Sequence, residues 1–428
     1  MNSVKEVKSE RTGDRFYEVR HSTGLRIYIF PKEKNSSAYA VLGTKYGSID
    51  NCFRRSDETQ PQRVPSGIAH YLEHKLFESE DGDAFQRFAK LGTSANAYTS
   101  FDMTGYLFSC TKNFYESLEI LLDFVQSPYF TEKTVQKEQG IIGQEIRMYD
   151  DDPQWRVMLN LLKSLYHTHP VKIDIAGTTE SIAKITPELL YRCYRTFYNL
   201  NNMVLCVAGN IDPDRVLSVC DKMLKPCESV TVERIFEPEP EAIVQPYVEE
   251  KLSVALPIFE IGFKEATAGG RPTVKQLAET DILLKALASP ASPLYRGLLD
   301  DGLINEASFG NEYFEGPGFA SVIFSGESKN PKAVEERLLA EVERFRRHGI
   351  DSAAFRRAKN TVYGGSIAAL NDVGTIANSM TSLELADRDL FSYIDAVANA
   401  DADSVLSRLQ VQLKAENAAL SVIQPSKG

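Results

Sequence analysis

Two stretches 220 residues apart carry the same hydrophobic pattern, and this feature restricts the fold more than any other in the chain. Laid without a gap, FTEKTVQKEQGIIGQEIRMYDDD (130–152) sits over IDSAAFRRAKNTVYGGSIAALND (350–372). Each follows an amphipathic helical pattern and leads through a further helix to a closing apolar strand, NNMVLCVAGN in one half and NAALSVIQP in the other. Self-similarity at a fixed offset marks a copied supersecondary unit. The expected fold class is therefore α+β, with two similar α/β-sandwich domains arising by internal duplication. Their sheets are expected to be antiparallel-rich, with helices on one face.

Local patterns fill in the copies. LRIYIFPK and AYAVLGTKYGSI read as strands, rich in Ile, Val and Tyr and separated by a polar turn. SANAYTSFDMTGYLFSC reads as extended, and NFYESLEILLDFVQSPYF as a helix with Leu118, Leu121, Leu122 and Val125 on one face. Between them the copies account for most of a 428-residue chain, which is too long for one ordinary core. The stretch ESVTVERIFEPEPEAIVQPYVEE has several prolines and glutamates and little periodicity, so it reads as a linker. The expected boundaries are an N-terminal domain 1–228, a linker 229–250 and a degenerate C-terminal repeat 251–428.

The copies differ in their polar residues. Glu138 falls opposite Ala358 and Glu145 opposite Gly365, and the second half has no histidine pair. The first half holds HYLEH, with His70 and His74 one helical turn apart and Glu73 beside the second. Two imidazoles at i and i+4 on a helix can ligate one zinc, and the carboxylate next to the second can reach a water at the metal. Chance occurrence of HxxEH in a chain this long is on the order of one per cent. A catalytic zinc takes a third protein ligand, and Glu138 or Glu145, two turns apart on one helical face, can supply it.

Composition excludes several alternatives. A net charge of −11 disfavours a nucleic-acid or anionic-membrane partner, because neutralising phosphates takes clustered Lys and Arg. Six cysteines, at 52, 110, 193, 206, 220 and 227, form no CxxC pair and suit buried thiols in a reducing compartment. The N-terminus has no apolar signal region, and no apolar run is long enough for a membrane helix. A cytoplasmic protein is expected. His167 and His169 in YHTH read as a structural turn, and YDDDP as an acidic helix end. No dinucleotide or phosphate-loop fingerprint occurs.

Four motifs in order carry a family resemblance: HYLEH, GTSANAYTS, KEQGIIGQEI followed by DDPQW, and the long run from HPVKIDIAGTTESI to NNMVLCVAGNID. With these the chain resembles the pitrilysin-type inverzincin zinc metallopeptidases, in particular the bacterial half-length members similar to the mitochondrial processing peptidase. The resemblance is strong over residues from about 20 to 225 and weaker beyond. It implies a zinc endopeptidase that cleaves unfolded peptides inside a clamshell chamber. It makes His70, His74 and Glu145 the ligands of Zn2+, Glu73 the general base and Glu138 a supporting catalytic glutamate. It also makes Ser94 to Thr99 the edge strand that pairs with the peptide, with Asn96, Ala97 and Tyr98 at the substrate.

The chain departs from the family in one place. Active members carry in the second half an Arg and a Tyr that hold substrate and oxyanion. Here those positions fall on Leu299 and Asn305 in SPLYRGLLDDGLINEASF, with Tyr295 and Arg296 out of register. The resemblance therefore implies a heterodimer with a homologous subunit that supplies the pair, with a homodimer as the alternative. Two rival classes are a non-catalytic scaffold subunit of a processing-peptidase-like complex and a hydrolase of some non-peptide amide.

Overall fold

The computed structural model describes residues 3–80 and 82–426, which form two compact units. The strands of the two main sheets and the longer helices around them are numbered along the chain. The first unit is built on a seven-stranded sheet of β1 (Ser3–Lys8), β2 (Arg15–Arg20), β3 (Arg26–Pro31), β4 (Ala38–Thr44), β5 (Ser94–Thr99), β6 (Thr104–Cys110) and β7 (Met203–Gly209). Their order across the sheet is β1-β2-β3-β7-β4-β6-β5. All neighbours are antiparallel except β3 and β7.

The second unit has five strands: β8 (Tyr247–Leu252), β9 (Ile258–Lys264), β10 (Gly310–Gly316), β11 (Phe319–Glu327) and β12 (Ala418–Pro425). Their order is β8-β12-β9-β11-β10, with only β8 and β12 parallel. This repeats β3-β7-β4-β6-β5 strand for strand, including the place of the one parallel pair. The duplication expected from the hydrophobic pattern is thus written into the sheet topology, and the fold class is the expected α+β.

Each sheet buries one face under helices of its own half. In the first unit Ile27, Ile29, Ala40, Leu42, Tyr106 and Phe108 share a core with Leu72 of α1 (Ile68–Leu76), Phe88 of α2 (Ala84–Lys90) and Leu121 of α3 (Phe114–Val125). In the second unit Phe259, Ile261, Phe324 and Leu420 share one with Leu283 of α6 (Val274–Ala288) and Leu338 of α7 (Pro331–His348). Alternating strand residues supply these faces, as the period of two requires.

The other face takes one helix, and here the boundaries differ from the sequence expectation. After α4 (Glu132–Asp150) the chain makes α5 (Pro153–Leu165), which belongs to the second unit and packs on β9 and β12. After α8 (Ser352–Ala369) it makes α9 (Val373–Leu385), which belongs to the first unit and packs on β4 and β7. The units are therefore discontinuous, Met1–Ile146, Asp174–Ile235 and Ile367–Phe391 against Arg147–Ile173, Phe236–Ser366 and Ser392–Gly428, rather than 1–228 and 251–428. The two helices are equivalent at the 220-residue offset, down to the aspartates that cap them. Asp152 accepts from Gln154 N at 2.9 Å and Asp372 from Thr375 N at 2.7 Å.

A glycine receives each exchanged helix. A Cβ on Gly43 would lie 2.5 Å from Thr381 Cγ2 and 3.1 Å from Leu385 Cδ1. One on Gly262 would lie 2.8 Å from Leu161 Cδ2 and 2.9 Å from Leu165 Cδ1. Thr381 and Leu161, and likewise Leu385 and Leu165, are partners at the same offset, so one packing contact has been copied with its unit.

The stretch 229–250 is not a free linker. Val232–Arg234 pairs antiparallel with Cys52–Arg55, and β8 begins at Tyr247. Between them, Glu239 accepts from the backbone N of His167, Thr168 and His169 at 2.7–2.8 Å and pairs with buried Lys264 at 2.6 Å. Burial opposes its charge, but these donors outweigh it and hold the carboxyl down at about 2. The prolines and glutamates that resemble a linker thus fix the segment to the second unit.

On α9, Glu384 is buried beside Tyr28 of β3, and burial raises its carboxyl to about 7. A raised carboxyl contributes stability that is complete below its ordinary pKa and lost as pH rises through about 7. Thermal unfolding of Glu384→Gln should therefore gain on the parent between pH 5 and pH 8.5, by on the order of 1–3 kcal/mol. A gap between parent and variant that does not change with pH would contradict this.

Candidate metal centre

The site is built on α1. Gly67, at φ +88°, precedes it, and a Cβ there would lie 2.3 Å from Ala176 O. Only glycine fits that corner. Ile68, Ala69, Tyr71, Leu72 and Leu76 anchor the helix in the core, which leaves His70, Glu73 and His74 on the face toward α4. The Tyr71 hydroxyl donates to Val135 O of α4 and ties the two helices together. From Val135, one and three turns further along α4 reach Glu138 and Glu145.

The five residues singled out in the sequence come together. One Glu145 oxygen is 3.6 Å from His70 Nε2 and the other 3.4 Å from His74 Nε2. Donor atoms of His70, Glu73 and His74 all lie within 4.8 Å of one another. His74 Nδ1 hydrogen-bonds Glu138 Oε1 at 3.1 Å, which puts the proton on Nδ1 and leaves Nε2 free as a ligand. Glu73 Oε2 accepts from the Thr99 hydroxyl at 3.1 Å. His70 Nδ1 is buried without a hydrogen-bond partner.

The electrostatics call for a cation. Three carboxylates converge on two imidazoles, with His70, Glu73 and Glu138 each below 10% exposed. Burial raises the Glu73 carboxyl against the pull of both histidines. Burial works against charge on His74, yet Glu138, Glu73 and Glu145 together raise it. Burial works against charge on Glu138 too, yet its bond to His74 and the charges of His74, Lys75 and Lys137 together lower it. Two imidazole nitrogens and one carboxylate converging, with a second carboxylate orienting one imidazole, is a donor set that fits zinc.

A cleft of about 630 Å³ opens beside these residues, lined by Glu73, His74, Phe77, Phe85, Asn96, Ala97, Glu138 and Ile141. Strand β5 forms its wall as the edge of the sheet, bonded only to β6. Asn96 and Ala97 lie in the cleft, whereas the Tyr98 ring packs over Gly105 with its hydroxyl 3.5 Å from Asn378 of α9 and does not line it. Sequence reasoning placed Thr99 at the end of the edge strand but missed its hydroxyl on Glu73, and it missed the apolar wall. Phe77 and Phe85 stack at 4.2 Å, and Phe85 and Ile141 stay exposed. Ile141, interrupting the polar face of α4, was the signal.

The other motifs are structural. His169 caps a short turn at Pro170–Lys172, bonds Pro317 O through Nε2 and is held neutral by burial, with a pKa of about 4. Asp152 caps α5. Five cysteines are buried and Cys227 is exposed, all free. Among the described residues no helix is long and apolar enough to cross a membrane.

Known proteins share both the sequence pattern and the fold. Residues 60–179 match the Insulinase (Peptidase family M16) domain and residues 184–362 the Peptidase M16 inactive domain. The chain is 39% identical over 427 residues to the "Uncharacterized zinc protease YmfH" of Bacillus subtilis, covering 99% of both. It is 27% identical over 205 residues to a mitochondrial-processing peptidase subunit beta of Arabidopsis thaliana, covering 47% of this chain and 37% of that one. A crystal structure of an M16-like peptidase from Alicyclobacillus acidocaldarius superposes with a TM-score of 0.91 at 34% identity, covering 99% of each chain. Pitrilysin shares the fold, with a TM-score of 0.75 at 16% identity over 99% of this chain and 47% of that one.

Proposed function

The chain belongs to peptidase family M16, several of its relatives are named zinc proteases, and from that premise we propose that it is a zinc endopeptidase cleaving unfolded peptides. The observation that carries the reading is the convergence of Glu145 on Nε2 of both His70 and His74, with Glu73 alongside. His70, His74 and Glu145 would hold the metal. When bound, zinc supplies Lewis acidity to a water and to a peptide carbonyl.

The chain's own groups do the rest. Glu73, held by Thr99 through Oε2, has its other oxygen free to take a proton from the attacking water. As the C–O bond forms and the C–N bond breaks, Glu73 delivers that proton to the leaving amine. The free edge of β5 accepts an extended peptide by main-chain hydrogen bonds, which demands little of its sequence. Glu138 orients His74. Glu138→Ala should weaken zinc retention about 10- to 100-fold in competition with a chelator, and unchanged retention would contradict the role.

A homologous subunit completes the site in this reading. Leu299 and Asn305 stand at the positions of the family's Arg and Tyr, and their neighbours are engaged elsewhere. Tyr295 is buried with its hydroxyl on Glu306 O, and Arg296 donates to Pro290 O. The intact ligand set speaks against a scaffold subunit. The reading is tested by peptide cleavage with and without a homologous chain carrying the Arg and Tyr.

A further inference from the structure

We infer that a buried set of hydroxyls, on Thr104, Tyr106 and Tyr198, positions the proposed base Glu73 by deciding which way Thr99 is turned. Thr99 ends the edge strand β5 and stands directly opposite Thr104 of β6, so the two side chains share a face. The Thr99 hydroxyl donates to Glu73 Oε2 at 3.1 Å and lies 3.5 Å from Thr104 Oγ1. Thr104 donates to Tyr46 O at 2.9 Å, which fixes its own rotamer. The Tyr198 hydroxyl meets that of Thr104 and stands 2.8 Å from that of Tyr106. Thr104 and Tyr106 are fully buried, and Tyr198 nearly so. Burial raises both phenols and the charge of Glu73 adds to each, so both stay protonated.

The fold does not require these hydroxyls. With Gly43 equivalent to Gly262, the cross-strand register makes Val322 the equivalent of Thr104 and Phe324 that of Tyr106. Both are fully buried in the core of the second unit. Valine and phenylalanine have the shapes of threonine and tyrosine without the oxygen. The copy without the histidine pair therefore keeps the packing and drops the hydroxyls. Burying a hydroxyl costs free energy that packing alone does not return. What the oxygens do in the first unit follows from the side chain of Thr99. Its oxygen and its methyl are close in size, so χ1 alone decides which of them meets Glu73. Hydroxyls on the Thr104 side favour the rotamer that turns the oxygen inward, where it reaches Glu73. An apolar face such as that of Val322 and Phe324 would accept the methyl as well, and Glu73 would then lose its donor part of the time.

This rests on the peptidase reading, because it names how the base of that reaction is held. The full zinc-loaded chain is assayed on peptides together with the homologous subunit. Thr99→Val should lower kcat about 10- to 100-fold with KM and zinc content unchanged. Thr99→Ser, which keeps the hydroxyl, should recover most of the rate. Thr104→Val and Tyr106→Phe, which install the residues of the second unit, should each lower kcat roughly 2- to 10-fold alone and make Thr99→Val no slower. A second readout needs neither metal nor turnover: methyl three-bond couplings on the metal-free chain report χ1 of Thr99. One rotamer is expected in the parent and a mixture in the Thr104→Val, Tyr106→Phe double variant, with thermal unfolding confirming that each variant is folded. Full turnover by Thr99→Val, a Thr99→Ser rate no better than that of Thr99→Val, or an unchanged single rotamer in the double variant would overturn the inference alone. If the parent pair cleaved no peptide, the peptidase reading would fall, and the couplings would still decide what holds Thr99.

Discussion

Glu73→Gln should lower the rate of peptide cleavage by about 10²- to 10⁴-fold, the usual contribution of a positioned general base, while one zinc per chain stays bound. The substitution changes one oxygen for an amide nitrogen, and Oε1 of Gln can keep the Thr99 hydroxyl bond now made by Glu73. The atoms on His70, His74 and Glu145 proposed to hold the metal are untouched. Zinc content by mass spectrometry beside kcat separates the loss of a base from the loss of a metal. Equal turnover with zinc in place would remove Glu73 from the mechanism. Loss of zinc together with activity would instead make Glu73 part of the ligand set, which its closeness to both histidines allows.

The largest stability effect is expected at the two glycines under the exchanged helices, and there the sign is diagnostic. Changing a strand glycine to alanine ordinarily stabilises, because the unfolded chain loses freedom. At Gly262 the new methyl meets Leu161 and Leu165, and at Gly43 it meets Thr381, all closer than side-chain contacts allow, with Leu385 a tight 3.1 Å from the methyl at Gly43. Each substitution should instead cost about 1–3 kcal/mol, the range for overpacking, and lower Tm by roughly 2–4 °C per kcal/mol. Leu161→Ala should recover part of the loss at Gly262 and none at Gly43, since the contacts are separate. A rise in Tm for Gly262→Ala would mean that α5 does not dock on this strand.

These contacts also show where the sequence stops being legible. The helical motif at His70 to His74 is read directly, because i and i+4 spacing fixes the geometry once the segment is a helix. Glu138 and Glu145 follow from their spacing on α4. The duplication is visible because hydrophobic periodicity survives where identity does not. Which sheet α5 and α9 cover is not local information: both are ordinary capped amphipathic helices, and only the glycines in AVLGT and FEIGF hint at close approach. The stretch 229–250 reads as a linker from composition, yet what holds Glu239 is three main-chain N–H groups some 70 residues away. The role of the Thr99 hydroxyl was hidden for the same reason, since it meets Glu73 only after β5 is folded under α1.

Zinc-dependent peptide cleavage by the Glu73 site, completed by a homologous subunit, is tested most directly by mass spectrometry on a mixture of unfolded 10–30-residue peptides. The zinc-loaded chain is incubated alone and with a homologous chain that carries the Arg and Tyr but no complete zinc motif, each beside Glu73→Gln. The expected result is cleavage by the pair, lost when this chain carries Glu73→Gln, and little or none by either chain alone. Cleavage that survives Glu73→Gln, or full activity of the chain alone, would contradict it.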